Sequence, residues 1–105
     1  MKYQIFRTKT FDKEFEKLPS FEKREIQNFE IKLSENPFVG KPLGLVFFRE
    51  KKLNGRRVYY LIYEKFVIVL MVAISDKKTQ QPTIEAIKNK LNEYYDLVKN
   101  YLDKI

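Results

Sequence analysis

The stretch REKKLNGRRVYYLIYE at residues 49–64 decides how this chain folds. At its centre Asn54-Gly55 is a strong two-residue turn signal, because a type I′ turn needs positive φ at both central positions and these two residues tolerate it. The flanking segments, 47–53 (FFREKKL) and 56–63 (RRVYYLIY), are apolar enough and rich enough in aromatic and β-branched residues to be its two strands. A two-residue loop sets Leu53 opposite Arg56, Lys52 opposite Arg57 and Glu50 opposite Tyr59. Side chains alternate between faces, so Leu53, Val58, Tyr60 and Ile62 share a core-facing side. Lys52, Glu50, Arg57, Tyr59 and Tyr63 share the other with Leu61, and there they make a cationic and aromatic surface. An ordinary cross-strand salt bridge among Lys52, Glu50 and Arg57 is the bland alternative. Arg49 and Lys51 have core-face parity, so they snorkel, lie at a strand edge or betray a bulge. A bulge would exchange Lys51 for Lys52 on the surface side.

Working outward, residues 66–75 (FVIVLMVAIS) complete an antiparallel meander of three strands. Their near-continuous apolar character predicts a central strand covered on both faces. Upstream, two Pro and two Gly in residues 37–46 (PFVGKPLGLV) read as a loop. Before it, Ile26, Phe29 and Leu33 form the apolar stripe of a helix that Ser20 caps and Asn36-Pro37 stops. A preceding helix, capped by Thr10 and ended by Pro19, places Phe11, Phe15 and Leu18 on one face. The two make an antiparallel helical hairpin, and residues 3–7 (YQIFR) supply a short first strand.

Downstream of Thr79 the pattern is helical, with Pro82 near the first turn. Ile84, Ile87, Leu91, Tyr94, Val98, Tyr101 and Ile105 recur at steps of three and four. That makes an apolar seam along one helix, 82–104, roughly 35 Å long at 1.5 Å per residue. Packing on the chain's own sheet, self-association into a homodimer and docking of another chain's helix all satisfy such a seam. The expectation is a single α+β domain over residues 1–105 with this helix as a C-terminal extension.

The 105 residues contain neither cysteine nor histidine. Disulfides, thiolate chemistry, zinc hydrolysis and histidine-based acid–base catalysis are therefore excluded, and a reducing cytoplasm is the expected setting. No apolar run approaches the roughly 20 residues that span a bilayer. The net charge of +7 is concentrated: residues 41–78 carry nine basic groups against three acidic ones, whereas 1–40 hold eight against seven and 79–105 four against four. A solvated face needs no such segregation. A localised positive field attracts phosphates, and tyrosines beside it offer stacking surfaces for unpaired bases, a combination suited to single-stranded RNA.

The order of elements and several phrases resemble the RelE/ParE superfamily of toxins from type II toxin–antitoxin pairs. The matching phrases are FDKEFEKLP (11–19), NPFVGKPL (36–43), REKKLNGRRVYYLIYE (49–64) and VAISDKK (72–78). The resemblance covers about residues 1–78. It implies a cognate antitoxin as partner and, on the RelE branch, ribosome-dependent cleavage of mRNA by an endoribonuclease that needs no metal or cofactor. By position, Arg57 matches the third-strand arginine, expected to stabilise the phosphorane. Lys52, or Lys51 with a bulge, matches the basic second-strand group that assists proton removal. Lys77 or Lys78 matches a basic residue after the last strand. Arg49, Lys51, Arg56, Tyr59, Tyr63 and Lys78 are the expected RNA contacts. Thr79-Gln80-Gln81 stands where RelE-type nucleases commonly carry a Tyr or His. The ParE branch, which shares the fold and poisons DNA gyrase, and a non-toxic RNA-binding module of the same fold are the alternatives.

Overall fold

The computed structural model describes residues 2–104 and realises the expected hairpin. Strand β3 (Phe48–Leu53) pairs antiparallel with β4 (Arg56–Tyr63) in the register Lys52↔Arg57, Glu50↔Tyr59, with no bulge between them. The turn itself departs from type I′: Asn54 has φ 55°, but Gly55 does not have a positive φ. The pairing survives because two linking residues, whatever their turn type, impose it. The Asn54 side-chain amide also donates to Glu25, tying the hairpin tip to the helical layer.

The full sheet has the order β1-β5-β4-β3-β2, with β1 (Gln4–Arg7) parallel to β5 (Ile68–Ser75) and the remaining pairs antiparallel. β5 is an interior strand with both faces covered, as its apolar run predicts. Its pairing with β4 shifts between Tyr59↔Ala73 and Tyr60↔Met71, leaving Val72 as the extra residue of a bulge. Val72 and Ala73, adjacent in sequence, consequently pack on the same side of the sheet.

On one face lie α1 (Lys9–Glu16) and α2 (Ser20–Glu35), whose Phe11, Phe15, Ile26, Phe29 and Leu33 pack on Val58, Tyr60, Ile62, Val69 and Met71. The cap of α1 is Thr8 rather than Thr10. Its Oγ1 accepts from Phe11 N at 3.1 Å and donates to Val72 O at 3.0 Å, so one hydroxyl starts the helix and anchors it to the sheet. Pro19, not Ser20, occupies the cap position of α2 and makes no side-chain cap, its fixed φ of −61° setting the entry of the chain instead.

The segment expected as a loop contains a strand. β2 (Lys41–Leu45) runs antiparallel to β3 with Lys41↔Glu50 and Pro42↔Arg49, then shifts register before Leu45↔Phe48. Pro and Gly, read as loop markers, are tolerated because β2 is an edge strand: a missing N–H costs nothing where no neighbour accepts, and Gly44 takes φ 86° at the irregularity.

The expected single C-terminal helix is two. α3 (Gln80–Lys88) and α4 (Leu91–Asp103) are separated at Asn89-Lys90, where Lys90 leaves helical geometry at φ −118°. The break lets both helices lie on the chain's own sheet, burying Ile84, Ile87 and Val98 against Phe48, Tyr59, Leu61, Ile68 and Leu70. Tyr101 stays 51% exposed with its ring 4.4 Å from that of Phe6, and Ile105 lies outside the described residues. Among the described residues no helix is long and apolar enough to cross a membrane.

Candidate nucleic-acid interface

The register sets out a small grid of side chains on the α3/α4 side of the sheet. One row runs Lys41 (β2), Glu50 (β3), Tyr59 (β4), Ala73 (β5), and the next runs Lys52 (β3), Arg57 (β4), Ser75 (β5). β2 stops pairing at Lys41, so the second row opens onto the free edge of β3. There a cavity of about 530 Å³ is lined by Val39, Gly40, Lys41, Glu50, Lys51, Lys52, Arg57 and Gln80. Four cations and one carboxylate thus converge at the end of the sheet.

Arg57 is only 9% exposed. Among the described residues no carboxylate lies within 4.0 Å of its guanidinium, and the salt bridge considered for Lys52, Glu50 and Arg57 does not form. A shielded guanidinium without a counter-charge is costly in a resting protein and suits one that receives an anion. Glu50 is 7% exposed and takes a hydrogen bond on Oε2 from Gln80 Nε2 at 2.9 Å, which fixes the start of α3 over the cavity.

The cavity's outer wall is the turn at 37–40. Tyr60 Oη donates to Pro37 O at 2.9 Å and accepts from Gly40 N at 3.0 Å. Arg49 donates through Nη1 to Phe38 O and Gly40 O at 2.9 and 2.8 Å, and through Nε to Val46 O at 2.9 Å. Burial pushes the Tyr60 hydroxyl up to about 12. Just past Ser75, Asp76 Oδ1 accepts from Thr79 N and Oγ1, both at 3.0 Å, and these bonds hold its carboxyl below the usual range. Among the described residues no group of three or more Asp or Glu could hold a metal ion.

The expected site residues therefore divide. Arg57, Lys52 and Lys51 line the cavity, Lys52 from the α3 side and Lys51 from the other parity, its ammonium 6.0 Å from the Phe29 ring. Lys77 and Lys78 are exposed in the turn that follows Ser75, beside the Arg57 row but outside the cavity lining. Arg49 is a structural clamp for the 37–40 turn rather than an exposed RNA contact, which resolves its core-side parity. Arg56 points to the helical hairpin, 3.4 Å from Glu22.

The aromatic half of the expected surface is corrected. Tyr59 is 0% exposed under α3, its hydroxyl 2.8 Å from Ser75 Oγ, and burial raises its pKa. Tyr63 is half-buried beside Tyr95, and six residues along the strand put it roughly 20 Å from Arg57. Neither offers a stacking face at the cavity. Strand parity correctly separates the two sides of the sheet; what it does not reveal is that α3 and α4 cover one of them. Sequence alone does not point to Lys41, which lies in a Pro- and Gly-rich segment that reads as a loop, or to Gln80, which only the fold brings to Glu50.

Neither a scan against protein-family models nor a search of curated proteins finds a match. Solved structures do match. A mutant of the Escherichia coli toxin RelE in the free state superposes with TM-score 0.73 at 22% identity, over 85% of this chain and 98% of that one. RelE in the intact E. coli RelBE toxin–antitoxin complex gives 0.65 at 22%, covering 70% and 95%. The Mycobacterium tuberculosis RelBE2 complex gives 0.65 at 25%, covering 73% and 100%. This chain has the RelE fold, and the three structures named above are of a RelE toxin in the free state and of RelBE toxin–antitoxin complexes.

Proposed function

We propose that this chain is the toxin of a toxin–antitoxin pair and cuts messenger RNA on the ribosome, in the cytoplasm, without metal or histidine. The observation that carries the reading is Arg57: a shielded guanidinium with no carboxylate within 4.0 Å among the described residues, at the floor of a cavity whose other cations are Lys41, Lys51 and Lys52. A scissile phosphate is the ligand that such a cluster suits. Arg57 would meet the phosphate bidentately and stabilise the charge that builds as the 2′-oxygen attacks. Lys52, exposed at the cavity mouth, engages the same phosphate, and Lys77 with Lys78 meets the backbone on the far side of Ser75. Lacking a stacking platform, the cavity holds the sugar-phosphate strand and leaves base orientation to the ribosome. The RelB complexes of its structural neighbours support an antitoxin as partner.

Primer extension on messages from cells expressing the chain tests this. Breaks within translated reading frames are expected, and Arg57→Ala should abolish them while the protein remains folded. Intact messages on translating ribosomes at growth-arresting expression would refute the nuclease reading, and DNA breaks with filamentous growth would point to gyrase instead.

A further inference from the structure

We propose that Glu50 is the general base of this site, the group that removes the proton from the attacking 2′-OH, an inference that rests on the nuclease reading above. Among the described residues Glu50 is the one carboxylate in the cavity lining, and it sits among the cations meant for phosphate. Its placement is poorly explained by stability. A carboxylate 7% exposed loses most of its hydration and ordinarily recovers it through a cation or several donors. Here Lys41 stands directly opposite on β2, and Lys52 and Arg57 share its face, yet among the described residues no cation comes within 4.0 Å of it. Its donors are neutral: the amide of Gln80, on Oε2 at 2.9 Å, and the hydroxyl of Tyr59, which lies close enough to interact with the carboxylate.

That arrangement leaves a positioned acceptor, fixed on Oε2 by a neutral amide and held by no cation among the described residues. Arg57 is the diagonal cross-strand neighbour of Glu50, at about 7–8 Å in sheet geometry, a separation that a ribose with its 3′-phosphate bridges. With the phosphate on Arg57 and Lys52, the adjacent 2′-OH comes to the carboxylate of Glu50. The step then balances. The 2′-OH proton passes to Glu50, the 2′-oxygen bonds to phosphorus, and the bond from phosphorus to the 5′-oxygen breaks. The leaving 5′-oxygen takes a proton from the Lys52 ammonium, giving a 2′,3′-cyclic phosphate and a 5′-hydroxyl. The role foreseen for Lys52 in proton removal thus passes to the carboxylate, and Lys52 becomes the donor.

Single-turnover cleavage of message on programmed ribosomes, followed from acid to alkaline pH, tests the assignment. Glu50→Gln preserves shape and can still accept from Gln80. It should cut about 100-fold more slowly or worse, bind RNA within a few-fold of the parent and lose the fall in rate that the parent shows towards acid. The groups that face Glu50 (Lys41, Lys52, Arg57, Tyr59 and Gln80) are unchanged in that variant, so a vanished acid limb reports the carboxylate. Formate should restore cleavage by Glu50→Ala in proportion to its concentration. Cleavage by Glu50→Gln within threefold of the parent, absence of formate rescue, or rate, RNA binding and melting temperature falling together would each overturn the proposal. An unmodified protein that cuts nothing would instead overturn the nuclease reading, and this inference with it.

Discussion

Replacing Gly40 by alanine tests the packing that shapes the cavity wall. Gly40 has φ −79° and ψ 171°, which alanine adopts freely, so any cost is steric rather than conformational. The new Cβ would lie 2.5 Å from Tyr60 Oη and 2.9 Å from Glu50 O, against ordinary contacts that begin at 3.4 Å. Neither neighbour can easily retreat: the Tyr60 ring is 0% exposed with its hydroxyl held on Pro37 O, and the Glu50 carbonyl belongs to β3. Overpacking of this kind costs about 1–3 kcal/mol, and loss of the bond from Gly40 N to Tyr60 Oη adds about 1 kcal/mol. Gly40→Ala should therefore destabilise by about 2–4 kcal/mol, or roughly 10–30 °C in Tm for a domain of this size. Urea denaturation measures it. Tyr60→Phe alone strands Gly40 N–H and Pro37 C=O, costing about 1–3 kcal/mol. In the double variant the hydroxyl clash is gone and the Cβ meets Tyr60 Cε1 at 3.2 Å. The double change should consequently cost at least about 1 kcal/mol less than the sum of the singles. A Gly40→Ala loss under about 0.5 kcal/mol, or additivity within that margin, would refute the reasoning.

Arg57→Met should leave the unfolding free energy unchanged or raise it by up to about 1 kcal/mol, since it removes a shielded, unpaired charge. RNA affinity should fall, with the salt slope reduced by about 1, and a large stability loss would assign Arg57 to the core. Alkaline titration should unfold the protein progressively. Tyr60 titrates at 10.0 when unfolded and about 12 when folded, so its contribution is complete below pH 10 and is lost as pH rises towards 12. Tyr60→Phe should flatten that limb in a circular-dichroism series. Asp76 shows the opposite sign: its folded value is depressed, so its support for the start of α3 is present above pH 3.8 and fades as pH falls below it. Asp76→Asn should remove that acid dependence from the melting temperature.

Much of this molecule is legible in its sequence where local rules act alone. The β3–β4 register follows from a two-residue link and holds even though the turn is not of the expected type. The helical hairpin and its core residues follow from periodicity. What escapes is decided by neighbours. β2 looks like a loop because Pro42 and Gly44 are penalised only where a strand has partners on both sides. The Asn89-Lys90 break is invisible to a seam that continues in phase across it, because the bend serves the sheet beneath rather than the helix. Tyr59 illustrates the same limit: its face is readable, its cover is not. Of the site, Arg57, Lys51 and Lys52 are foreseeable from charge and parity. Glu50 reads as half of a salt bridge until burial shows it without a cation, and Gln80 requires the tertiary fold.

The bulge at Val72 has a consequence for chemistry as well as for shape. Continued without interruption from Tyr60↔Met71, the β4–β5 pairing would bring Ile74 opposite Arg57, an aliphatic side chain against a guanidinium that needs an anion. The supernumerary residue advances the strand by one step, so Ser75 arrives there and its hydroxyl meets Tyr59. The following turn, with Asp76, Lys77 and Lys78, is delivered to the same corner. One added residue works as a phase shifter: it keeps the first half of β5 in tune with a hydrocarbon interior and the second half in tune with a polar mouth. The same residues paired without the bulge would make an intact, well-packed sheet whose cationic corner had been greased over.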